Sequence, residues 1–191
     1  MTLPATSGVV YNGNPSNYLS LLRNLRPGDR LILTAGSYDD PADAPGLPFF
    51  NINGTADQPI VVTGPQSGPR AVILGRSTHN TVRFDNASHI IVRNLEINGR
   101  DLGGDGVAAQ ALAHSITLEN LEIHGVGDSQ STVGIATNSS TVWNWIVRGC
   151  LIRGAGTGIY FGNGDGRQPF IAGIIENNVF RDTLGYNMQI K

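Results

Sequence analysis

The chain has 191 residues, of which 40% are apolar and only 15% are charged, and its formal net charge is −2. This near-neutral balance gives no strong field for nucleic acid or for an anionic membrane surface. No apolar stretch approaches the ~20 residues that are needed to span a bilayer, so neither a nucleic-acid partner nor membrane insertion is expected.

The length fits a single domain, residues 1–191. The first 15 residues lack a basic start followed by an apolar run, so no signal peptide is predicted in this chain. Turn-forming residues are abundant, with 25 Gly and 17 Asn, which predicts many short elements. The one cysteine, Cys150, excludes an internal disulfide framework, and we expect it to be a small buried hydrophobe.

The first predicted element is an amphipathic helix over residues 16–25. Apolar side chains recur there at helical spacing, and Asn14 or Ser16 is the predicted N-cap. The dipeptide Pro27–Gly28 ends the helix. Because exposed sheet edges invite aggregation, we expect this helix to cap the open end of the structure that follows.

Strand-like segments begin directly after the helix. Over residues 29–75 they are DRLILTAGSY (29–38), IVVTG (60–64) and AVILG (71–75), which we interpret as the first coils of a solenoid. Over residues 81–191 they become regular. One set aligns without gaps as IVRNLEI (91–97), TLENLEI (117–123), IVRGCLI (146–152) and IIENNVF (174–180). A second set lies between them as VRFD (82–85), VAAQ (107–110), VGIA (133–136), IYFG (159–162) and MQIK (188–191).

Each repeat is too short to bury an apolar face alone, so neighbouring repeats must stack. Stacked strands of the same sense form parallel sheets, and the general crossover rule predicts a right-handed path. The sequence therefore predicts an all-β fold, a right-handed parallel β-helix (solenoid) with a short N-terminal capping α-helix. Because the chain stops inside the fifth copy of a strand, we expect it to be truncated at its C-terminus.

Three inward-facing rows follow from the alignment. They are Val92, Leu118, Val147 and Ile175; Ile97, Ile123, Ile152 and Phe180; and Val82, Val107, Val133, Ile159 and Met188. Between the strands of the first set lies the row Asn94, Asn120, Gly149 and Asn177. Asn and Gly at this position indicate a left-handed turn residue, and stacked amides would hydrogen-bond along the axis.

The segments LRPGDRLILTAGSY (25–38), NGTADQPIVVTG (53–64) and AVILG (71–75) together resemble the opening of right-handed β-helix polysaccharide lyases of the pectate-lyase-like superfamily. The opening is similar to the alginate and chondroitin-sulfate lyase type, and the asparagine row is similar to that of pectate lyases. This resemblance implies a polysaccharide partner, acidic in character, and an extracellular or cell-surface location. In the lyases that the chain resembles, catalytic Lys and Arg and calcium-binding acids lie on later coils.

A β-elimination next to a uronate carboxylate needs a base and a cation that stabilises the enediolate. The candidate base is Lys191, and Arg181 or Arg153 is the candidate neutralising group. Tyr160 is a candidate proton donor or sugar-stacking platform. The alternative for Lys191 is that it is a solvated residue at the end of a strand.

Candidate substrate-binding residues lie on the predicted outer face, where parity gives two rows: Arg83, Ala108, Gly134, Tyr160 and Gln189, and then Asp85, Gln110, Ala136, Gly162 and Lys191. Beside them runs the row Asn98, His124, Arg153 and Arg181. Arg83, Gln110, His124 and Gln189 are the predicted sugar contacts. The alternative is that the short side chains of the strip merely suit a sheet under a covering loop.

Oxygen ligands that suit Ca²⁺ are supplied by Gly-rich turns at Asp101, Asp105 and Asp165, although Asp in such turns is usually a turn former. The four histidines show no zinc-ligand spacing. Hydrolysis by paired carboxylates is less favoured, since only Asp85 lies on the outer strand face. The row Arg93, Glu119, Arg148 and Glu176 alternates in sign and indicates a structural charge ladder.

Two functional hypotheses follow. In the first, the chain is a right-handed β-helix protein that interacts with acidic polysaccharide and acts as a polysaccharide lyase by β-elimination. In the second, it is a non-catalytic β-helix, either a surface or glycan-binding module or a tailspike-like structural module. The low charge and the lack of a convincing catalytic set favour the second, whereas the lyase-like opening and the Arg153–Arg181 row favour the first.

Overall fold

The computed structural model of the chain describes residues 8–39, 44–137, 141–163 and 165–191. It is a nearly all-β, right-handed parallel β-helix, which confirms the predicted fold class. Its helix α1 is Tyr18–Arg23. The strands in chain order are β1 (Val10–Gly13), β2 (Arg30–Leu33), β3 (Gly36–Tyr38), β4 (Leu47–Phe50), β5 (Ile60–Thr63), β6 (Ala71–Leu74), β7 (Val82–Asp85), β8 (Ala87–Arg93), β9 (Leu95–Asn98), β10 (Val107–Ala109), β11 (Ala113–Glu119), β12 (Glu122–His124), β13 (Val133–Ala136), β14 (Val142–Trp143), β15 (Ile146–Arg148), β16 (Leu151–Arg153), β17 (Thr157–Phe161), β18 (Phe170–Ile171), β19 (Ile174–Glu176), β20 (Val179–Arg181) and β21 (Met188–Ile190).

These strands form three parallel sheets, which the chain visits in the same order in each coil. Sheet A contains β1, β2, β5, β8, β11, β14, β15, β18 and β19. Sheet B contains β3, β6, β9, β12, β16 and β20. Sheet C contains β4, β7, β10, β13, β17 and β21. Each strand thus pairs with the equivalent strand of the next coil, at the spacing of about 4.8 Å that is usual in a sheet.

Two of the three predicted inward rows are confirmed by the strand register. Val92 pairs with Leu118, Leu118 with Val147, and Val147 with Ile175. On sheet B the paired residues are Ile97, Ile123, Ile152 and Phe180. The side chains of these rows fill the interior, and those of the earlier coils are fully buried. Burial of this kind provides the main stabilisation of the stack.

The third predicted inward row is wrong at Val133. Val107 pairs with Ile135, and Ile135 pairs with Ile159, whereas Val133 pairs with Thr157. Ile135 takes the inward position predicted for Val133, and Val133 itself lies on the outer side, where it packs with Ala108 and Ala136. In this register the amide of Val133 donates to the carboxylate of Asp105.

A line of aromatic rings runs along the core. Phe49 stacks on Phe84 with ring centroids 4.7 Å apart, and Trp145 lies edge-on to Phe84 at 5.6 Å. Phe161 continues the line at 6.0 Å from Trp145. The indole N–H of Trp145 donates to the carbonyl of Ala113, so the one polar atom of this buried ring is satisfied.

The predicted asparagine row lies at the corner between sheets A and B. Asn94, Asn120 and Asn177 have φ of 56°, 51° and 56°, and Gly149 has φ of 61°. The side-chain amide of Asn120 donates to Asn94 Oδ1 at 2.7 Å. Gly149 has no side chain and interrupts the ladder there. The row therefore combines left-handed backbone with amide hydrogen bonds along the axis, as predicted.

Helix α1 lies within the predicted range 16–25 and covers the first coil. Tyr18 and Leu22 are buried, and the Tyr18 hydroxyl donates to the carbonyl of Gly46 at 3.0 Å. The N-cap residue is Asn17, which makes no side-chain capping bond, so neither Asn14 nor Ser16 caps the helix. Among the described residues, no helix is long and apolar enough to cross a membrane.

Candidate functional site

The outer face of sheet C carries a continuous row of side chains from five coils. In register, the row is Arg83, Ala108, Ala136, Tyr160 and Gln189. Ala136 occupies the position that was predicted for Gly134, and the correction follows from the same two-residue shift at Val133. Ala136 is therefore in register with Ala108 and not with Gln110, where it was predicted. We refer to this outer face, from Arg83 to Gln189, as the groove.

The centre of the groove is flat and apolar. Ala108, Val133 and Ala136 form a small cluster whose members are at most 5% exposed, and half-buried Tyr160 packs against it. The two alanines are almost fully buried, which fits the alternative that short side chains suit a sheet under a covering loop. Tyr160 rises at one end of this strip and Arg83 at the other.

A cavity of about 250 Å³ lies at the Tyr160 end of the groove. Its lining is Gln130, Ser131, Val133, Thr157, Tyr160 and Gln189. These side chains offer hydroxyl and amide groups as well as an aromatic ring, the combination typical of a site for a polar ligand with apolar faces. The ammonium of Lys191 lies over the Tyr160 ring, 5.8 Å from its centroid. Tyr160 on β17, Gln189 on β21 and Lys191 directly after β21 therefore lie together.

A second cavity, of about 170 Å³, lies at the Arg83 end. It is lined by Ser77, Thr78, His79, Asn80, Arg83, Gly103, Gly104 and Gln110. The guanidinium of Arg83 pairs with Asp85 at 2.6 Å and lies 5.3 Å from the Phe50 ring centroid. The Asp85 carboxylate offsets the positive charge of Arg83, so this cavity is polar but close to neutral.

Asp105 contacts one lining residue of each cavity. Its amide donates to Asn80 Oδ1 at 3.0 Å, and its Oδ1 accepts from the Val133 amide at 2.8 Å. Burial raises the pKa of Asp105 to about 6, and the hydrogen bond from Val133 opposes that rise. A carboxyl group in this state titrates close to neutral pH.

The predicted arginine pair lies on a different face. Arg153 and Arg181 are paired on the outer side of sheet B. Arg153 donates to Glu122 Oε1 from Nε and Nη2, at 3.1 and 2.9 Å, while Arg181 is exposed. Among the described residues, no hydrogen bond or ion pair joins either guanidinium to Tyr160, Gln189 or Lys191. The structure therefore separates the predicted catalytic residues into two groups.

His124 also lies on sheet B, where its Nε2 is 2.9 Å from Glu96 Oε1. Of the four predicted sugar contacts, Arg83, Gln110 and Gln189 lie on the sheet C side and line the two cavities. His124 belongs to the outer face of sheet B, in the same row as the arginines.

The acids predicted to bind Ca²⁺ do not lie in one cluster. Asp165 accepts from the Arg167 amide and pairs with its guanidinium, and Asp105 has one oxygen on the Val133 amide. Asp101 lies in a left-handed turn with φ of 57°. Over the described ranges, no group of three or more His, Cys, Asp or Glu side chains is arranged to hold a metal ion. Calcium binding at these acids stays a prediction, and we derive no chemical step from it.

Two other predicted features are structural. Arg93 pairs with Glu119 at 3.4 Å and Arg148 with Glu176 at 3.6 Å, which confirms contacts along the charge ladder. Cys150 is buried, and burial raises the pKa of its thiol to about 11, so the thiolate is strongly disfavoured.

The largest cavity that we describe, about 460 Å³, lies on sheet A and is lined by Asn144, Trp145, Ile146, Ala172, Gly173 and Ile174. This lining is mostly apolar and contains no ionisable side chain. It offers no group for acid–base chemistry or for charge recognition, so we place the candidate site in the groove instead.

The sequence reasoning missed Gln130, Ser131 and Thr157 in the Tyr160 cavity. Gln130 and Ser131 precede β13 in a turn whose path the repeat alignment does not specify. Thr157 aligns with Val133 only after the two-residue shift. The role of Asp105 was also missed, because an Asp in a Gly-rich turn indicates either a turn former or a calcium ligand.

Comparison with known proteins identifies the fold. No family model matches the chain, and no curated protein matches it. A lacto-N-biosidase from Eubacterium ramulus superposes with a TM-score of 0.64 at 18% identity, over 95% of this chain and 43% of that one. An alginate lyase from Paenibacillus sp. str. FPU-7 superposes with a TM-score of 0.50 at 14% identity, over 90% of this chain and 76% of that one. The chain thus spans less than half of the biosidase, and the likeness to β-helix polysaccharide lyases holds at the level of fold.

Proposed function

We propose that the chain binds an extended polysaccharide along the groove on the outer face of sheet C. The observation that carries the proposal is the alignment of two polar cavities with one flat strip, all on the same row of the same sheet. From Arg83 to Gln189 the row crosses four coil steps, about 19 Å at the usual strand spacing. A linear glycan is long enough to contact both ends at once.

The lining favours a carbohydrate over other extended ligands. Gln130, Ser131 and Gln189 supply neutral donors and acceptors, which match sugar hydroxyls. The half-buried Tyr160 ring supplies an apolar surface for the carbon–hydrogen face of a sugar ring. Both structures reported above are of carbohydrate-active proteins, an alginate lyase and a lacto-N-biosidase, which supports the same substrate class.

An acidic glycan is the finer form of the proposal. Lys191 provides a positive charge beside the Tyr160 cavity, and exposed Arg181 adds another on the neighbouring face of the stack. In this form the protein acts at the cell surface or outside the cell, where such polysaccharides occur.

A second candidate function is β-elimination, favoured by the adjacency of Lys191 and Tyr160. In that reaction the Lys191 amine removes the proton next to the uronate carboxyl group. The electron pair forms the carbon–carbon double bond, the glycosidic carbon–oxygen bond breaks, and Tyr160 protonates the leaving oxygen. Arg153 and Arg181 lie on sheet B, so neutralisation of the carboxyl group by them requires the substrate to reach around the corner between the sheets.

The binding test uses oligosaccharides of alginate, polygalacturonate and chondroitin sulfate, with a cello-oligosaccharide as the neutral member, and measures affinity by calorimetry. The variants are Tyr160→Ala and Gln189→Ala, and the matched control is Gln66→Ala, an exposed glutamine beside a polar cavity elsewhere on the stack. The proposal requires that at least one oligosaccharide binds and that both groove variants weaken it while Gln66→Ala does not. Absorbance of an unsaturated product, lost in Lys191→Ala, separates the lyase from a binding protein.

A further inference from the structure

One side chain on the outer face of sheet C is both aromatic and well exposed. Phe50 ends β4, the first strand of the sheet, and is 41% exposed, whereas Ala108 and Ala136 at the centre of the groove are at most 2% exposed. Among the described residues, the other exposed large apolar side chains of this sheet, Met188 and Ile190, continue the inward rows on the last coil. Phe50 is therefore an apolar surface that a ligand on the outer face can reach.

Phe50 extends the groove by one coil beyond Arg83. It pairs with Asp85 on the next coil, and Arg83 lies two residues earlier on the same strand and on the same face. The guanidinium of Arg83 lies 5.3 Å from the centroid of the Phe50 ring and pairs with Asp85 at 2.6 Å. Arg83 also lines the cavity of about 170 Å³, together with Asn80 and Gln110. The aromatic ring, the ion pair and the cavity thus form one continuous surface at this end of the groove.

The charges at this end compensate each other. A ligand carboxylate placed beside Phe50 would be attracted by Arg83 but repelled by Asp85, so it gains little net electrostatic energy there. The amides of Asn80 and Gln110 are neutral donors and acceptors, which suit hydroxyl groups. At the opposite end, Lys191 adds a positive charge beside Tyr160. The two ends therefore favour different sugars.

We propose that Phe50, Arg83 and Asp85 form a terminal subsite that binds an uncharged pyranose ring, with Phe50 as the platform for its carbon–hydrogen face. The inference rests on the proposed function, since it names the class of sugar that one end of the same groove takes. With Phe50 included, the groove crosses five coil steps to Gln189, about 24 Å at the usual strand spacing. A glycan that matches both ends is uncharged over Phe50 and acidic near Lys191.

The first test measures the affinities of cellohexaose and of an alginate hexasaccharide for the full chain by calorimetry. Phe50→Leu keeps an apolar side chain but removes the flat ring. It should weaken cellohexaose binding about ten-fold, the loss expected when about 55 Å² of apolar contact is removed. Phe50→Trp keeps a flat ring and should retain the affinity within about two-fold. The matched control is Ile171→Ala, at an apolar residue of sheet A that is 49% exposed, and it should change neither affinity.

The second test addresses the class of sugar. Asp85→Asn leaves the Arg83 charge without its compensating carboxylate, so the affinity for the alginate hexasaccharide should rise about five-fold while that for cellohexaose stays within about two-fold. An alginate affinity that Asp85→Asn leaves unchanged would overturn the role of charge compensation. A wild type that binds the alginate hexasaccharide but not cellohexaose would overturn the preference for an uncharged ring.

The ring-proton signals of Phe50 and Tyr160 separate failure of the subsite from failure of the proposed function. Both sets of signals should shift when cellohexaose is added to the wild type. If Tyr160 shifts while Phe50 does not, and Phe50→Leu binds as tightly as the wild type, the subsite is wrong and the groove stands. If neither oligosaccharide shifts either ring, the proposed function is wrong and the subsite falls with it.

Discussion

The carboxylate of Asp105 accepts a hydrogen bond from the amide of Val133 at 2.8 Å, although the two residues lie 28 positions apart on successive coils. The amide of Val133 thus binds a side chain, whereas most strand amides of the stack bind backbone carbonyls of the neighbouring coil. The contact is where the register of sheet C departs from the simple repeat.

Replacing Asp105 by Asn should stabilise the fold at neutral and alkaline pH. The folded-state pKa of about 6 lies above the ordinary value of 3.8, so the contribution of this group is most favourable below about pH 4 and is lost as pH rises through 6. The difference between these two pKa values corresponds to at most about 3 kcal/mol in the free energy of unfolding. Urea unfolding at pH 4.5 and pH 8 should show a gain for Asp105→Asn at pH 8 and a much smaller one at pH 4.5.

An equal gain at both pH values would show that Asp105 is not a buried titrating group. Asp165→Asn is the control, since Asp165 is exposed and paired locally with Arg167. It should change the free energy of unfolding little at either pH.

Reversing the charge at Arg148 should destabilise the stack modestly. Arg148→Glu loses the pairing with Glu176 and places a like charge in register with Glu119, at a cost of about 0.2–1 kcal/mol for each neighbour. Glycan binding should be unchanged, because this ladder lies on sheet A. Arg167→Glu, at a side chain that is 84% exposed, is the matched control for stability. Loss of binding with an intact fold would place the ligand on sheet A instead.

The arginine pair on sheet B should contribute to binding only if an acidic glycan extends past the corner from sheet C. In that case Arg153→Ala/Arg181→Ala weakens binding by about 1.5–3 kcal/mol for each lost charge-assisted contact. The control is Arg23→Ala/Arg167→Ala, two exposed arginines with the same total charge. Equal effects of the two double variants would indicate general electrostatic attraction, and calorimetry at two salt concentrations would reveal it.

The asparagine row allows the cost of backbone strain to be separated from the cost of losing side-chain hydrogen bonds. Asn120→Ala should lower the free energy of unfolding more than Asn120→Gly does. Asn120 has φ of 51°, a left-handed conformation that costs alanine about 1–2 kcal/mol but that glycine adopts without strain. Both variants lose the bonds to Asn94 and from Arg70, so their difference isolates the backbone term. Thermal unfolding of the two variants measures it, and the same order at Asn94 would confirm the cause. Equal destabilisation by Ala and Gly would assign the effect to the amide bonds alone.

The parts of the fold that depend on period-two alternation were predictable from the sequence. The Val92 and Ile97 rows could be aligned because their segments match without gaps, and the Asn94–Asn120–Gly149–Asn177 row because few residues tolerate positive φ. The register at Val133 was mispredicted, since VAAQ and VGIA also align at a shift of two. The observed register places Gly106, Gly134 and Gly158 in one row, each followed by Val or Ile, a local pattern that the alignment of the strand segments alone did not use.

The site was less predictable than the fold. Parity correctly places Arg83, Tyr160 and Gln189 on one face, but it says nothing about which outer faces meet. Arg153 and Tyr160 are seven residues apart in sequence, yet they lie in different sheets. Gly154, Ala155 and Gly156 form the short connection between their strands, β16 and β17. Gln130 and Ser131 enter the Tyr160 cavity from a turn, where conformation depends on contacts with neighbouring coils and not on periodicity.

The connections from sheet B to sheet C differ in length from coil to coil: eight residues separate β9 from β10 and β12 from β13, but only three separate β16 from β17. The strands on either side stay in register throughout. Because Asn80, Gln130 and Ser131 of the cavity walls come from these connections, insertions and deletions there would reshape what the groove accepts while the stacked interior is retained. Ligand preference in this architecture can therefore diverge by changes in segment length, on an evolutionary path that leaves the folding of the coils intact.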